Sequence, residues 1–258
     1  MPNRALWSVG CAFAVLATIP QLTAAAFTAD MTAAPGASTP TNPVPSVGKL
    51  FTRLHAVSDR FSCTGTVLNT VKRDIVLTAK HCTAGLGKSA LAFFVPGYDT
   101  SARNPEPYGR WAVRGAYDGP DDLEVLVMDK QNGKNIQDVV GAQTYKTDVS
   151  SGVGRVGVIG YPSAGHGRPY YCGADATMHV WKGHPNQWQT DCGTNFNDGV
   201  SGSAYLIDYN LQAHQGIVVA VLGGDNEGSA GPDGEFSLGD PLTGQFETLL
   251  RDVLDHHA

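Results

Sequence analysis

Charge is scarce in this 258-residue chain: Asp, Glu, Lys and Arg make up 16% of it, and no run of Lys and Arg occurs. A formal net charge of -6 without a basic stripe excludes the phosphate-neutralising surface that nucleic acid or another polyanion requires. Long apolar runs are also missing. The one extended apolar stretch, residues 5–19, is shorter than the roughly 20 residues that span a bilayer, and Pro20 ends it. No internal repeat appears at the periods that mark solenoids and propellers. Metal-ligand spacing is lacking as well. His166, His179 and His184 share a segment with Cys172 but form no zinc pattern, and the acidic stretch 225–235 lacks the spacing of an EF-hand calcium loop. No cofactor or metal is expected.

What is present points to an exported β protein. Arg4, the apolar stretch after it and Ala24-Ala25-Ala26 have the order of a cleaved signal peptide over residues 1–26, so no membrane attachment is expected once it is removed. Residues 27–47, rich in Ala, Thr, Pro and Ser, lack apolar periodicity and are expected to be a disordered linker or short propeptide. Cleavage would remove Cys11 and leave Cys63, Cys82, Cys172 and Cys192, an even number bound for an oxidising compartment. Two disulfides are expected. Three pairings are open, and the nearest-neighbour one would staple each half of the chain separately. With 31 Gly and 15 Pro, the chain favours short strands joined by turns. Strand-length apolar runs fall at 63–68, 74–79, 90–95, 124–128, 155–161, 203–207 and 216–222. A single amphipathic helix is predicted at the C-terminus, from Leu242, Phe246, Leu249, Leu250, Val253 and Leu254 at three- and four-residue spacing.

Three short segments carry the residue types of serine acyl transfer: an imidazole, a carboxylate to fix it, and a hydroxyl flanked by glycines whose amides can meet a developing oxyanion. They are Leu77-Thr78-Ala79-Lys80-His81-Cys82, Asp121-Asp122-Leu123-Glu124-Val125-Leu126 and Asn197-Asp198-Gly199-Val200-Ser201-Gly202-Ser203-Ala204. The first resembles the Thr-Ala-Ala-His-Cys signature of chymotrypsin-like serine peptidases, with Cys63-Thr64-Gly65 resembling that family's strand opening. The second is similar to its Asp-Ile/Leu-Ala-Leu/Val-Leu pattern and selects Asp122 over Asp121. The third resembles its nucleophile loop, and the order His, Asp, Ser is the family's order. Phe94-Val95-Pro96-Gly97-Tyr98, Pro107-Tyr108-Gly109 and Gly160-Tyr161-Pro162 resemble segments of a secreted bacterial branch.

The resemblance, over roughly residues 47–250, implies an all-β fold of two antiparallel six-stranded β-barrels with a C-terminal helix. The peptidase domain would be 48–258, with barrel one at about 48–140, barrel two at about 141–240 and the helix at about 242–255. It implies a catalytic triad of His81, Asp122 and Ser201, an oxyanion hole from the Gly199 and Ser201 amides, and disulfides Cys63–Cys82 and Cys172–Cys192. Asn195 is expected at the base of the specificity pocket and Gly223 and Gly224 along its wall. Activity on a protein or peptide substrate, by a secreted monomer without cofactor, follows. Two alternatives stand: an inactive homologue that binds an extracellular partner, and an esterase on the same fold. The chain departs from the family pattern in four places, one of them Ser203-Ala204, where the family has Gly-Pro or Ser-Pro. Val200 replaces the aspartate that pairs with a new N-terminus in zymogen activation, and Lys80 and Glu124 stand where alanine is usual. Those two side chains are expected either to pair behind His81 and Asp122 or to reach solvent separately.

Overall fold

The structure is a computed structural model that describes residues 37–52, 62–84, 92–149, 153–180, 186–196, 198–224, 229–230 and 236–256. The signal-peptide reading of 1–26 and the first part of the linker lie outside these residues. The disorder expected of residues 27–47 does not hold from Thr39 onward, because β1 (Thr39–Pro40) pairs with Tyr170 and Tyr171 and Val44 is buried. The backbone there has found a sheet edge to bond to, which compositional reading does not detect.

The first half contains β2 (Val47–Phe51), β3 (Cys63–Val67), β4 (Ile75–Ala79), β5 (Phe93–Pro96), β6 (Trp111–Asp118) and β7 (Leu123–Met128). They close a barrel in the order β2-β3-β4-β7-β6-β5, every pairing antiparallel. Every residue of β4 and of β7 is buried. Continuous apolar runs such as Ile75-Val76-Leu77 suit this position, where both faces of the strand are covered. A short helix, α1 (Ile136–Val140), follows, at whose start the Asn135 N–H donates to the Asp138 carboxylate at 3.3 Å.

The second half contains β8 (Thr144–Tyr145), β9 (Arg155–Gly160), β10 (Tyr170–Asp175), β11 (Thr177–His179), β12 (Gln187–Asp191), β13 (Ala204–Asn210), β14 (Gln215–Leu222), β15 (Ser229–Ala230) and β16 (Phe236–Pro241). Its sheet runs β1-β10-β9-β13-β14-β16-β12-β11, with β8 parallel to β14. It curls as a half-barrel: among the described residues no ladder joins β10 to β12, and the Cys172–Cys192 disulfide spans that opening. The first disulfide, Cys63–Cys82, ties the start of β3 to the turn after β4. Both follow the nearest-neighbour pairing.

The C-terminal helix, α2 (Gly244–His256), lays Phe246, Leu250 and Val253 against the core that contains the first barrel's interior. Phe246 meets Tyr145 edge-on, with ring centroids 5.9 Å apart. Among the described residues no helix is long and apolar enough to cross a membrane.

Candidate active site

His81 and Asp122 meet because β4 and β7 are neighbours in register, Ala79 opposite Leu123, and each residue lies just beyond that register pair. The chain leaves β4 in a 3-10 turn, Lys80–Cys82, whose Lys80 N–H donates to the Asp122 carbonyl at 2.7 Å. His81 Nδ1 then lies 2.6 Å from Asp122 Oδ2, and the His81 backbone N–H donates to Oδ1 at 2.9 Å. The Gly224 N–H donates to Oδ2 at 2.8 Å. Burial pushes the Asp122 carboxyl up, but the hydrogen bond from His81 and the Gly224 N–H outweigh it, so the group is held below its ordinary value. A carboxylate so placed fixes the imidazole with Nδ1 protonated and Nε2 as the basic nitrogen.

Ser201 stands at the start of β13, half-buried, and its turn is wedged into the first barrel. β3 and β4 do not pair at Thr64. Instead the Thr64 N–H donates to the Ser201 carbonyl at 2.8 Å, while its carbonyl accepts the Thr78 hydroxyl at 2.8 Å. Gly202 fills the gap at φ 84°; a Cβ there would lie 2.1 Å from the Thr64 carbonyl oxygen and 2.3 Å from Thr78 Oγ1. No side chain fits. Since Thr64 follows Cys63, whose disulfide partner Cys82 follows His81, a short route of bonds joins the serine turn to the histidine turn.

Each carbonyl of the nucleophile turn is held by a named donor. Ser163 N–H takes the Asp198 carbonyl at 2.7 Å, with the Ser163 hydroxyl on the same oxygen at 3.1 Å. The Thr64 hydroxyl takes the Gly199 carbonyl at 3.0 Å, Ser203 N–H takes that of Val200 at 2.9 Å, and Thr64 N–H takes that of Ser201. In a trans peptide the N–H points opposite to the C=O. Fixing the Asp198 and Val200 carbonyls therefore aims the Gly199 and Ser201 N–H groups away from those anchors. Among the described residues neither N–H has an acceptor, as an oxyanion hole awaiting a substrate oxygen requires. Gly199 is at φ 91°, and a Cβ on it would lie 2.6 Å from the Tyr161 carbonyl oxygen, so only glycine fits here too.

Other sequence expectations end differently. Lys80 does not pair with Glu124: its ammonium donates to the carbonyls of Gly119, at 3.3 Å, and Asp121. Glu124 does not reach solvent either. It is 1% exposed and accepts a hydrogen bond from the Thr83 hydroxyl, which follows the His81 turn. Burial, with the charges of Asp118 and Asp122 adding to it, pushes Glu124 up to about 8. Beside it a cleft of about 760 Å³ opens among Lys80, His81, Thr83, Asp122, Glu124 and Leu249.

Asn195 is exposed on a turn closed by the Phe196 N–H to the Gly193 carbonyl, rather than buried as a pocket base. Gly223 and Gly224 are at the Asp122 carboxylate. A Cβ on Gly223 would lie 2.6 Å from Asp122 Oδ2, which is how closely that backbone approaches the acid. Sequence reading missed Asp240 entirely. This buried residue accepts the Asp122 N–H at 2.9 Å and the Gln187 side-chain amide at 2.8 Å, and burial pushes it up to about 6. No local pattern announces it, because its partners are remote in sequence.

Among the described residues, one group has metal-ligand proximity, Cys63, His81 and Cys82 within 4.8 Å of one another, and both sulfurs are committed to the disulfide. His184 and most of 225–235 lie outside the described residues.

A closed barrel, a curled second sheet and a docked C-terminal helix, with His81 and Asp122 on the first and Ser201 at the edge of the second, define the fold of the chymotrypsin-like serine proteases. Solved structures of that fold match across most of the chain. Protease Anisep from Arthrobacter nicotinovorans is 23% identical with a TM-score of 0.69, over 83% of this chain and 98% of its own. The thermostable serine protease AL20 from an extremophilic microorganism is 18% identical, also at 0.69, over 83% and 99%. A human heparin binding protein is 16% identical at 0.60, over 86% and 97%. No protein-family model and no curated protein matches the sequence.

Proposed function

We propose that this chain is an exported serine endopeptidase with His81, Asp122 and Ser201 as its catalytic triad. The observation that carries the reading is the His81–Asp122 contact, which has two further backbone donors on the carboxylate. In this reading Ser201 Oγ attacks the scissile carbonyl carbon and its proton passes to His81 Nε2. The Gly199 and Ser201 N–H groups receive the oxyanion, and His81 returns the proton to the leaving amine as the C–N bond breaks. Water, deprotonated by the same imidazole, then hydrolyses the acyl-enzyme. Export is supported by the two disulfides and by the N-terminal sequence.

The heparin binding protein shares the fold, so a binding function is the second reading. The net charge of -6 disfavours a polyanion, and the Gly199 and Ser201 N–H groups, without an acceptor among the described residues, favour catalysis. Hydrolysis of an unfolded protein and of a short acyl ester separates the readings. The wild type is expected to cleave both, and Ser201→Ala neither. Ester cleavage alone points to an esterase, and no turnover of either by folded wild type points to the binding protein.

A further inference from the structure

The Gly199 N–H owes its direction to the Asp198 carbonyl, which Ser163 holds from outside the nucleophile turn, and one buried side chain bonds both the Gly199 carbonyl and the start of the segment that carries Ser163. The Thr64 hydroxyl donates to the Gly199 carbonyl at 3.0 Å and accepts the Tyr161 N–H at 3.0 Å. Tyr161 begins the segment whose Ser163 holds the Asp198 carbonyl, on the far side of the same glycine. Thr64 is fully buried, so water cannot stand in for the hydroxyl. Gly199 needs such restraint. With no Cβ it resists rotation of its flanking peptides less than any other residue, and a flip of the 198–199 peptide would replace the inward N–H by a carbonyl oxygen.

We propose that the Thr64 hydroxyl is a positioning group for the oxyanion hole, holding the 199–200 peptide directly and, through the Tyr161 N–H, the segment whose Ser163 holds the 198–199 peptide that carries the donor. The proposal rests on the peptidase reading above. It assigns the donor's stability of direction to a residue that never touches substrate, 135 positions away in sequence.

The test compares Thr64→Val with Thr64→Ser. Valine keeps the branched shape and the backbone N–H to Ser201 but removes the hydroxyl; serine keeps the hydroxyl. Losing an oxyanion donor outright costs about 10²–10³ in kcat, so a donor left free to turn is expected to cost about 10- to 100-fold. Thr64→Val should show that fall in kcat with KM within about twofold. It should bind a peptide boronic acid, whose tetrahedral adduct occupies the hole, more weakly by the same factor. Thr64→Ser should stay near wild type on all three readouts.

A folded Thr64→Val enzyme with wild-type kcat and boronate affinity overturns the proposal, as does a Thr64→Ser enzyme with lost kcat. If the valine variant does not fold, the serine variant decides. An inactive wild type would instead remove the peptidase reading itself, and an active wild type with an unaffected valine variant removes the role of Thr64 alone.

Discussion

Asp122→Asn is expected to lower kcat by about 10⁴ while leaving the fold and KM nearly unchanged. Three N–H groups converge on the carboxylate: His81 Nδ1–H and Gly224 N–H on Oδ2, and the His81 backbone N–H on Oδ1. An asparagine must turn its NH₂ toward one oxygen position or the other, and each already faces a backbone N–H that cannot become an acceptor. One orientation also forces the imidazole to expose its Nδ1 lone pair, which puts the proton on Nε2 and disables the base. In either orientation the negative charge that stabilises the imidazolium is gone. Steady-state kinetics of the purified variant, with its unfolding curve beside them, measures this. A loss below about tenfold in a folded variant would contradict the role given to Asp122.

The second large effect is on stability. Glu124 is ionised in the unfolded chain above its ordinary value of 4.5, but burial keeps it protonated in the folded protein up to about 8. Between those limits the folded state holds one more proton than the unfolded state, so stability falls as pH rises across the window and stays lowered above it. The cost is about 3–5 kcal/mol at pH 9, from about 1.4 kcal/mol per unit for a deeply buried carboxyl. Asp240, pushed up to about 6 from 3.8, acts with the same sign over a lower window. Glu124→Gln removes the titration while keeping the shape and a partner for Thr83. It is expected to match wild type near pH 5 and to exceed it at pH 9 in urea midpoint. Parallel pH dependence in the two proteins would contradict the burial of an ionisable Glu124.

The contrast between Leu77 to Cys82 and Thr64 explains how much the sequence disclosed. Histidine, aspartate and serine segments are local words, because each role needs its own strand end or tight turn, and the glycine at 202 is demanded by a backbone approach. Four of the six barrel strands were legible for a similar reason, since runs such as Ile75-Val76-Leu77 and Val125-Leu126-Val127 are covered on both faces, whereas β2 and β6 were not among the runs read from the sequence. The ends of those four shifted by up to three residues, as at β5, because hydrogen bonding, not hydropathy, set them. The remaining features depend on remote partners. Thr64 gains its duties only when the serine turn arrives between β3 and β4, and Asp240 only when β16 brings it behind Asp122.

Glu124 shows the limit in the other direction. A glutamate within Leu123-Glu124-Val125 reads as a solvent-facing position or half of an ion pair, the two outcomes its neighbour Lys80 suggested. It is instead buried against Thr83, which follows the His81 turn, and it borders a cleft that Leu249 of α2 also lines. The helix itself was visible from its spacing, but not the core it would pack against. Asn195 was expected at a pocket base by counting back from the serine, and a count along the chain carries no information on the exposure that the structure gives it.

The central claim is that Ser201 is a nucleophile activated by His81. Reaction of the purified, processed protein with a fluorophosphonate probe tests it without a known substrate, because the probe captures an activated serine. The account predicts stoichiometric labelling that maps to Ser201 and disappears in both Ser201→Ala and His81→Ala. Absence of labelling in folded wild type, or labelling that survives in Ser201→Ala, would contradict it.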